Sequence, residues 1–484
     1  MKKGKPPESA KSGTKLARGA NFRCLLSNTP INPDYIKSEG VAGRIGQRLM
    51  AVVVDSKQGR IFLSPTSSME EIAYSAVASW RPETNLPNDP RNFWTLSYGL
   101  TKFSHLFTER QLVAINTYCD LVQEARNKIK ADALRAGIHD DGRGLDEGGD
   151  GATAYADAVS TYLGMAVSRL TDICNSLCRW ESSKTQVRNL FGRQSIPMMW
   201  DFAENNVFGE AAGDYLVSLN NLAKALDVMP AIGVGHVEQH DAQTQSLSKN
   251  KVISTDPPYY DNITYADLSD FFYVWLRRAL RPIYPNVFST MTVPKAEELV
   301  ATPYRHGTKE KAETFFLNGM TEAMRRLAEQ ANLAFPTTIY YAFKQADTTD
   351  IGTGNTGWET FLEAVLKAGF AITGTWPMRT ELANRMIGSG ANALASSIVL
   401  VCRTREPSAT TISRRDFLRE LKEELAEAVD AMIGGSEGIS PVAPVDLAQA
   451  VIGPGMAIFS KYSAVLEADG SPMTVHTALT LINR

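Results

Sequence analysis

The 484-residue chain is 44% hydrophobic and 21% charged, which supplies sizeable cores and excludes a disordered polymer. At roughly 150 residues per domain the length corresponds to about three units. Fifty Lys and Arg against 53 Asp and Glu leave a net charge of −3, so no global basic field announces a nucleic-acid partner, which weakens the case for a nucleic-acid coat protein but does not exclude a local basic groove.

The start, MKKGKPPESAKSGTK, is basic and polar, and no apolar h-region follows it, so it is not a secretory signal. Residues 1–20 are expected to be flexible. RLMAVVVD-SKQG-RIFLS (48–64) predicts a hairpin, and the prolines at 65, 82, 87 and 90 a connection with room for one short helix. Thr108-Glu109-Arg110-Gln111 reads as a helix cap, and apolar residues then recur at helical spacing to Gly137. HDDGRGLDEGGDG (139–151) is an acidic, glycine-rich loop. A second long helix is expected from Ala152 to Trp180, and another over 211–229. VGHVEQHDA (234–242) and KVISTDPPYY (251–260) read as strands. ADLSDFFYVWLRRAL (266–280) reads as a helix, TTIYYAFKQ (337–345) as a buried strand and GWETFLEAVLKAG (357–369) as a helix. FAITGTWPM (370–378) and ALASSIVLVCRTR (393–405) are two more strands, without helical patterning between them, so this pair could be antiparallel. Alternating strands and helices predict a mostly parallel sheet covered on both faces. One charged helix (413–432), a loop and a short mixed segment end the chain. No apolar run of about 18 residues occurs, so no membrane span is expected. Five scattered cysteines (Cys24, Cys119, Cys174, Cys178, Cys402) fit a reducing, cytoplasmic setting.

The sharpest local feature is Ser254-Thr255-Asp256-Pro257-Pro258-Tyr259-Tyr260-Asp261-Asn262, at the C-terminal end of an apolar strand. That edge is where open α/β sheets bind ligands. The two prolines disfavour helix for the residues before them, so the chain leaves the strand as a stiff turn. The turn gathers one carboxylate (Asp256), one carbonyl (Pro257) and one aromatic face (Tyr259). Such a trio suits a planar amino group. The two oxygens accept its hydrogens, and the ring stacks on the heterocycle. Accepting both hydrogens makes an exocyclic amine more tetrahedral and frees its lone pair for a methyl group. A base within a duplex would have to be flipped out to reach it.

The string resembles the catalytic DPPY motif of amino-methyltransferases acting on adenine N6 or cytosine N4. STDPPYYDNITYADLSDFFYVWLRR is similar to the large adenine-specific DNA methylases that carry a zinc-ribbon insert and an N-terminal domain of unknown function. RGANFRCLLSNTPI (18–31), YGLTKF…LFTERQLVAI (98–115), MMWDFAE (198–204), TWPMRTE (375–381), ASSIVLVCR (395–403) and PVDLAQAVIGPGMA (444–457) extend the resemblance over nearly the whole chain. It implies an α/β fold with a Rossmann-like S-adenosylmethionine-dependent methyltransferase sheet and a large helical insert. The implied domains are a tail and hairpin (1–75), the helical insert (76–200), the catalytic portion (201–405) and a C-terminal helical extension (406–484). The implied activity is methyl transfer from S-adenosylmethionine to DNA, more specifically adenine N6. Asp256, Pro257, Pro258 and Tyr259 would be catalytic, Asp241 and Asp256 would face the cofactor, and Tyr260, Asn262, Trp376 and Arg379 would shape the base pocket.

Two departures stand out. The family's glycine-rich cofactor loop, FxGGG or FxGxG, is missing, so the first strands of the sheet are expected to be missing too. The chain is therefore expected to be the C-terminal portion of a longer enzyme, or one half of a split one whose companion supplies that loop. The zinc ribbon is reduced to the single sulfur of Cys24, so no zinc is expected.

Other features are weaker. Gly352-Thr353-Gly354-Asn355-Thr356-Gly357 matches GxGxxG but stands some seven residues beyond its strand, and with Asp347 and Asp350 reads better as a loop. His236 and His240 have no third ligand, and Cys174 and Cys178 fit a helical core. Arg277, Arg278 and Arg281 could touch phosphates or only end a helix. Two alternatives remain: a catalytically incomplete DNA-binding or assembly subunit, and the same chemistry on RNA or a protein amide.

Overall fold

The computed structural model of the chain describes residues 13–57, 59–229, 231–261, 263–341, 356–379, 396–432 and 451–482. Most of the segment expected to be flexible, residues 1–12, lies outside that set. The chain forms two compact units, Met1–His236 with Tyr265–Lys295, and Val237–Thr264 with Ala296–Arg484.

The first unit is mostly helical. Strands β1 (Phe22–Arg23) and β2 (Pro30–Ile31) pair antiparallel ahead of α1 (Pro33–Val41), and β3 (Val52–Ser56) and β4 (Gly59–Leu63) form the expected hairpin. The short helix expected between Pro65 and Pro82 is α2 (Ser67–Tyr74), capped by Thr66. Helix α3 (Glu109–Arg135) opens with a capping box. The Gln111 amide donates to Thr108 Oγ1 at 3.3 Å, and the Thr108 amide to Gln111 Oε1 at 2.9 Å.

Helix α4 (Ala152–Thr171) ends well before Trp180, against expectation. Asn175 is the reason: its Nδ2 donates to the Thr171 carbonyl at 2.8 Å and its Oδ1 accepts from the Leu177 amide at 2.9 Å. A side chain that competes for the last helical carbonyls stops the helix. Trp180 instead sits in β5 (Arg179–Glu181), paired with β6 (Gln186–Arg188).

Helix α5 (Tyr215–Asp227) precedes α6 (Tyr265–Leu280), whose Phe271 and Trp275 are fully buried. Trp275 meets Trp80 edge-on at 5.5 Å, and Phe271 stacks on Phe107 at 5.6 Å. Each such side chain contributes about 1.5–3 kcal/mol by leaving water. Gly164 lets α4 approach α6, because a Cβ there would lie 2.6 Å from Leu280.

The second unit holds a four-stranded sheet in the order β7 (Ser254–Thr255), β8 (Thr337–Tyr341), β10 (Ser396–Thr404), β9 (Phe370–Arg379). Only β7 and β8 are parallel, in register Ser254 to Thr338; β10 runs antiparallel to both β8 and β9. The expectation of a mostly parallel sheet is thus corrected to a mixed one. Parallel neighbours need a crossover, usually helical, and α7 (Pro303–His306) with α8 (Lys309–Gln330) lies between β7 and β8 in the chain. The sequence between β9 and β10 has no helical pattern, and β10 folds back between its neighbours.

The predicted strand over 234–242 does not form: Val234 and Val237 are 86% and 99% exposed. Its alternation is right for a strand, but no described strand pairs with it, and an unpaired strand does not satisfy its backbone. The strand predicted over 251–260 shrinks to Ser254–Thr255, ahead of Pro257 and Pro258, which have no amide to give to a ladder. Residues 342–345 and 393–395 of two other predicted strands lie outside the described residues.

Helix α9 (Thr356–Lys367) packs Phe361, Leu362 and Val365 onto the sheet with Ile339, Phe370, Ile372 and Leu400. The end of the chain adds β11 (Thr411–Ser413), α10 (Arg414–Met432), α11 (Ile452–Ser460), β12 (Ala464–Leu466) and α12 (Val475–Ile482). β11 and β12 pair in parallel. The fold is therefore α/β, with one four-stranded mixed sheet.

Candidate functional site

Strand β7 ends at Thr255, and the next five residues form the corner. Asp256 is exposed, Pro257 is buried, and Pro258, Tyr259 and Tyr260 are half-buried. A buried proline costs no unmet amide, since it has none. The Tyr259 hydroxyl donates to Asp256 Oδ1 at 3.0 Å, so carboxylate and ring are held together, as the sequence predicts. The Tyr259 ring meets Tyr341 of β8 edge-on at 5.3 Å, and Tyr341 stacks on Phe361 of α9 at 3.9 Å. The corner therefore rests on the sheet core.

Tyr260 turns the chain with φ of +39°, a left-handed conformation that costs a non-glycine residue of order 1–3 kcal/mol. Three contacts hold it there. Its hydroxyl donates to Glu313 Oε1 of α8 at 2.8 Å, its carbonyl accepts from the Ala301 amide at 2.9 Å, and its ring meets Phe316 edge-on at 5.2 Å. Burial first, and then the hydrogen bond to Glu313, holds its phenol well above the ordinary range. Gly357 in the first turn of α9 completes the seat, since a Cβ there would lie 3.0 Å from the Tyr260 ring. Glu313 and Gly357 are contributors that sequence reading misses. Glu313 lies 53 residues from Tyr260 with no local signal, and nothing in the GxGxxG string or in the helix pattern that starts at Gly357 ties that glycine to Tyr260.

Asp241 occupies the same unit but makes a turn of its own. Its Oδ1 accepts from the Gln243 amide at 2.9 Å, and its carbonyl from the amides of Thr244 and Gln245. That turn docks on the end of α8 through Gln330 Nε2 to the Gln245 carbonyl at 2.9 Å. No described hydrogen bond joins Asp241 to the corner. Trp376 lies on β9, 53% exposed, opposite Val399. The backbone of Arg379 ends β9, but its side chain lies outside the described residues, as do Asn262, Asp347, Asp350 and residues 352–355 and 380–381.

The open side of the corner is its other border. β7 is an edge strand: β8 pairs with one side, and among the described residues no strand pairs with the other. The Thr338 amide donates to the Ile253 carbonyl, so the alternate residues, Val252 and Ser254, face outward and are exposed.

The other candidates make contacts of their own. Arg278 donates to Asp120 Oδ1 at 2.8 Å and lies 4.8 Å from the Trp80 ring, and Arg277 donates to the Thr290 carbonyl. Cys174 and Cys178 are buried; burial raises both thiols, that of Cys178 to about 12. His240 pairs with Glu238 at 2.7 Å. Among the described residues no group of three or more His, Cys, Asp or Glu is placed to hold a metal ion, and no helix is long and apolar enough to cross a membrane. Comparison with protein-family models, curated proteins and solved structures finds no match to this chain.

Proposed function

We propose that the chain methylates an exocyclic amino nitrogen of DNA, adenine N6 before cytosine N4, using S-adenosylmethionine and a cofactor loop contributed by a companion chain. The observation that carries this reading is the corner itself, where an exposed carboxylate at a strand end is bonded to a neighbouring aromatic side chain. Asp256 and the Pro257 carbonyl accept the two amino hydrogens. A carboxylate has about four lone-pair sites, so accepting from Tyr259 on Oδ1 leaves room for the amine. Tyr259 stacks on the flipped base, while β8 and β10 stand between the corner and Trp376 on β9. The amino nitrogen would gain the methyl carbon as that carbon's bond to the cofactor sulfur breaks, leaving a neutral thioether, and would give up a proton, which the Asp256 carboxylate can take on its way to solvent.

Asp241 and Asp256 would hold S-adenosylmethionine, which supplies the electrophilic methyl group when bound. The sheet order, with the corner on an edge strand, supports a methyltransferase-type sheet whose remaining strands would pair with β7. Purified chain, alone and with the polypeptide encoded immediately upstream, is incubated with labelled cofactor and duplex DNA. Label enters the DNA with the wild-type chain and falls by about 10²-fold or more in Asp256→Ala; transfer unchanged in that variant overturns the assignment.

The unpaired edge also favours a second reading, a catalytically incomplete DNA-binding or assembly subunit. The assay with the upstream polypeptide separates the two, since transfer that needs only an assembly subunit survives Asp256→Ala; isothermal titration of S-adenosylmethionine into the chain alone tests the companion. Micromolar binding places a complete cofactor site here and removes the need for a companion.

A further inference from the structure

Helix α10 carries Arg414, Arg415, Leu418, Arg419 and Lys422, at spacings of one, four, five and eight residues, which fall on one helix face. All five line an open cleft of about 670 Å³ whose lining also includes Leu466, Glu467 and Ala468. The opposite face of the helix is core, with Phe417 fully buried and Leu421 nearly so. The acidic residues of the helix are partly drawn elsewhere: Glu420 and Glu424 both pair with Lys461, at 3.0 and 3.1 Å. Within the cleft, Arg414 meets Glu467 at 2.7 Å and Arg419 meets Asp416 at 3.1 Å. Arg415 and Lys422 are exposed and have no carboxylate partner among the described residues. Four cations against two carboxylates give the cleft a positive balance in a chain whose net charge is −3.

We infer that this face of α10 binds the phosphate backbone of duplex DNA. Length chooses the ligand. From Arg414 to Lys422 the helix rises about 12 Å, a span that covers more than one phosphate of a DNA strand. The arginines suit phosphate oxygens through their forked donors, and contacts of this kind position a duplex without reading its sequence. The inference rests on the DNA reading given above and adds the surface that would hold the substrate.

The test is fluorescence anisotropy of a labelled duplex with the full chain over a range of KCl concentrations. The double variant Arg415→Ala/Lys422→Ala is expected to lower the slope of log K against log salt by about two, and to weaken binding at 0.1 M salt by one to two decades. Arg415→Lys/Lys422→Arg keeps the charges and is expected to bind nearly as wild type, which separates lost phosphate contacts from lost folding. An unchanged slope in the alanine variant, or no duplex binding by the wild-type chain, overturns the inference. So does displacement of the duplex by inorganic phosphate at matched ionic strength, which marks a small-anion site. Asp256→Ala keeps the two ideas apart: it is expected to bind duplex normally while losing methyl transfer. A wild-type chain that binds through this face yet never transfers methyl sinks the methylation reading alone.

Discussion

In the first unit the buried carboxylate of Asp270 meets Lys295 at 2.7 Å and accepts from the Val293 amide at 2.8 Å, while Arg278 lies between Asp120 and a tryptophan ring. In the second unit Asp256 stands exposed at a strand end, steadied by one tyrosine, and its neighbour Tyr260 is held in a backbone region that side chains avoid. The first arrangement satisfies its charges internally and serves stability. The second keeps acceptor capacity open on a stiff support, and that costs stability. Chemistry-bearing residue types occur in both units; what separates them is where their hydrogen bonds go.

The largest expected effect tests the first side of this contrast. Lys295→Met leaves the Asp270 carboxylate buried without its cation and is expected to cost about 3–5 kcal/mol in urea unfolding. A loss under 1 kcal/mol would mean that water already reaches Asp270. Next comes Asp256→Ala, whose loss of about 10²–10³ in methyl transfer should come with a change in unfolding free energy within about 0.5 kcal/mol, because the side chain is exposed. If stability falls along with activity, the carboxylate is structural and the contrast breaks. Gly164→Ala drives a methyl group into Leu280 and should cost about 1–3 kcal/mol by overpacking, read from the same denaturation curves.

The smallest effect is Tyr260→Phe, about 1 kcal/mol for the lost hydrogen bond to Glu313, with methyl transfer reduced as the corner loosens. Its pH signature has a definite sign. The phenol is raised in the folded chain, so above pH 10 the folded state holds a proton that the unfolded state has released. Stability therefore falls as pH rises beyond that point. Tyr260→Phe should flatten this alkaline limb, and a limb of unchanged slope would show that other groups produce it.

What the sequence reveals follows the range of the interaction. The Thr108 cap, the hairpin at 48–64 and the Asp256–Tyr259 pair are legible because each is settled within a few residues. The end of α4 was missed even though Asn175 acts locally, because a buried apolar periodicity through Cys174 and Cys178 looks helical until a side chain claims the carbonyls. The antiparallel pairing of β9 with β10 is legible, because no helical pattern separates them, but strand order is a long-range matter: nothing near β10 says that it will fold between β8 and β9. The 234–242 segment carries a true strand pattern but, among the described residues, no neighbour to realise it. Glu313 and Gly357 were invisible as supports for the corner because only the tertiary fold brings them to Tyr260.

Bare sheet borders tend to recruit copies of themselves, and proteins blunt them with brevity, lysine or proline. The outer side of β7 has all three: two residues in length, Lys251 exposed before it and Pro257 soon after it. Head-on fusion with a second molecule of the same chain is therefore discouraged at this border. A visitor would have to bring its own contacts to stay, and that makes the border selective as well as available.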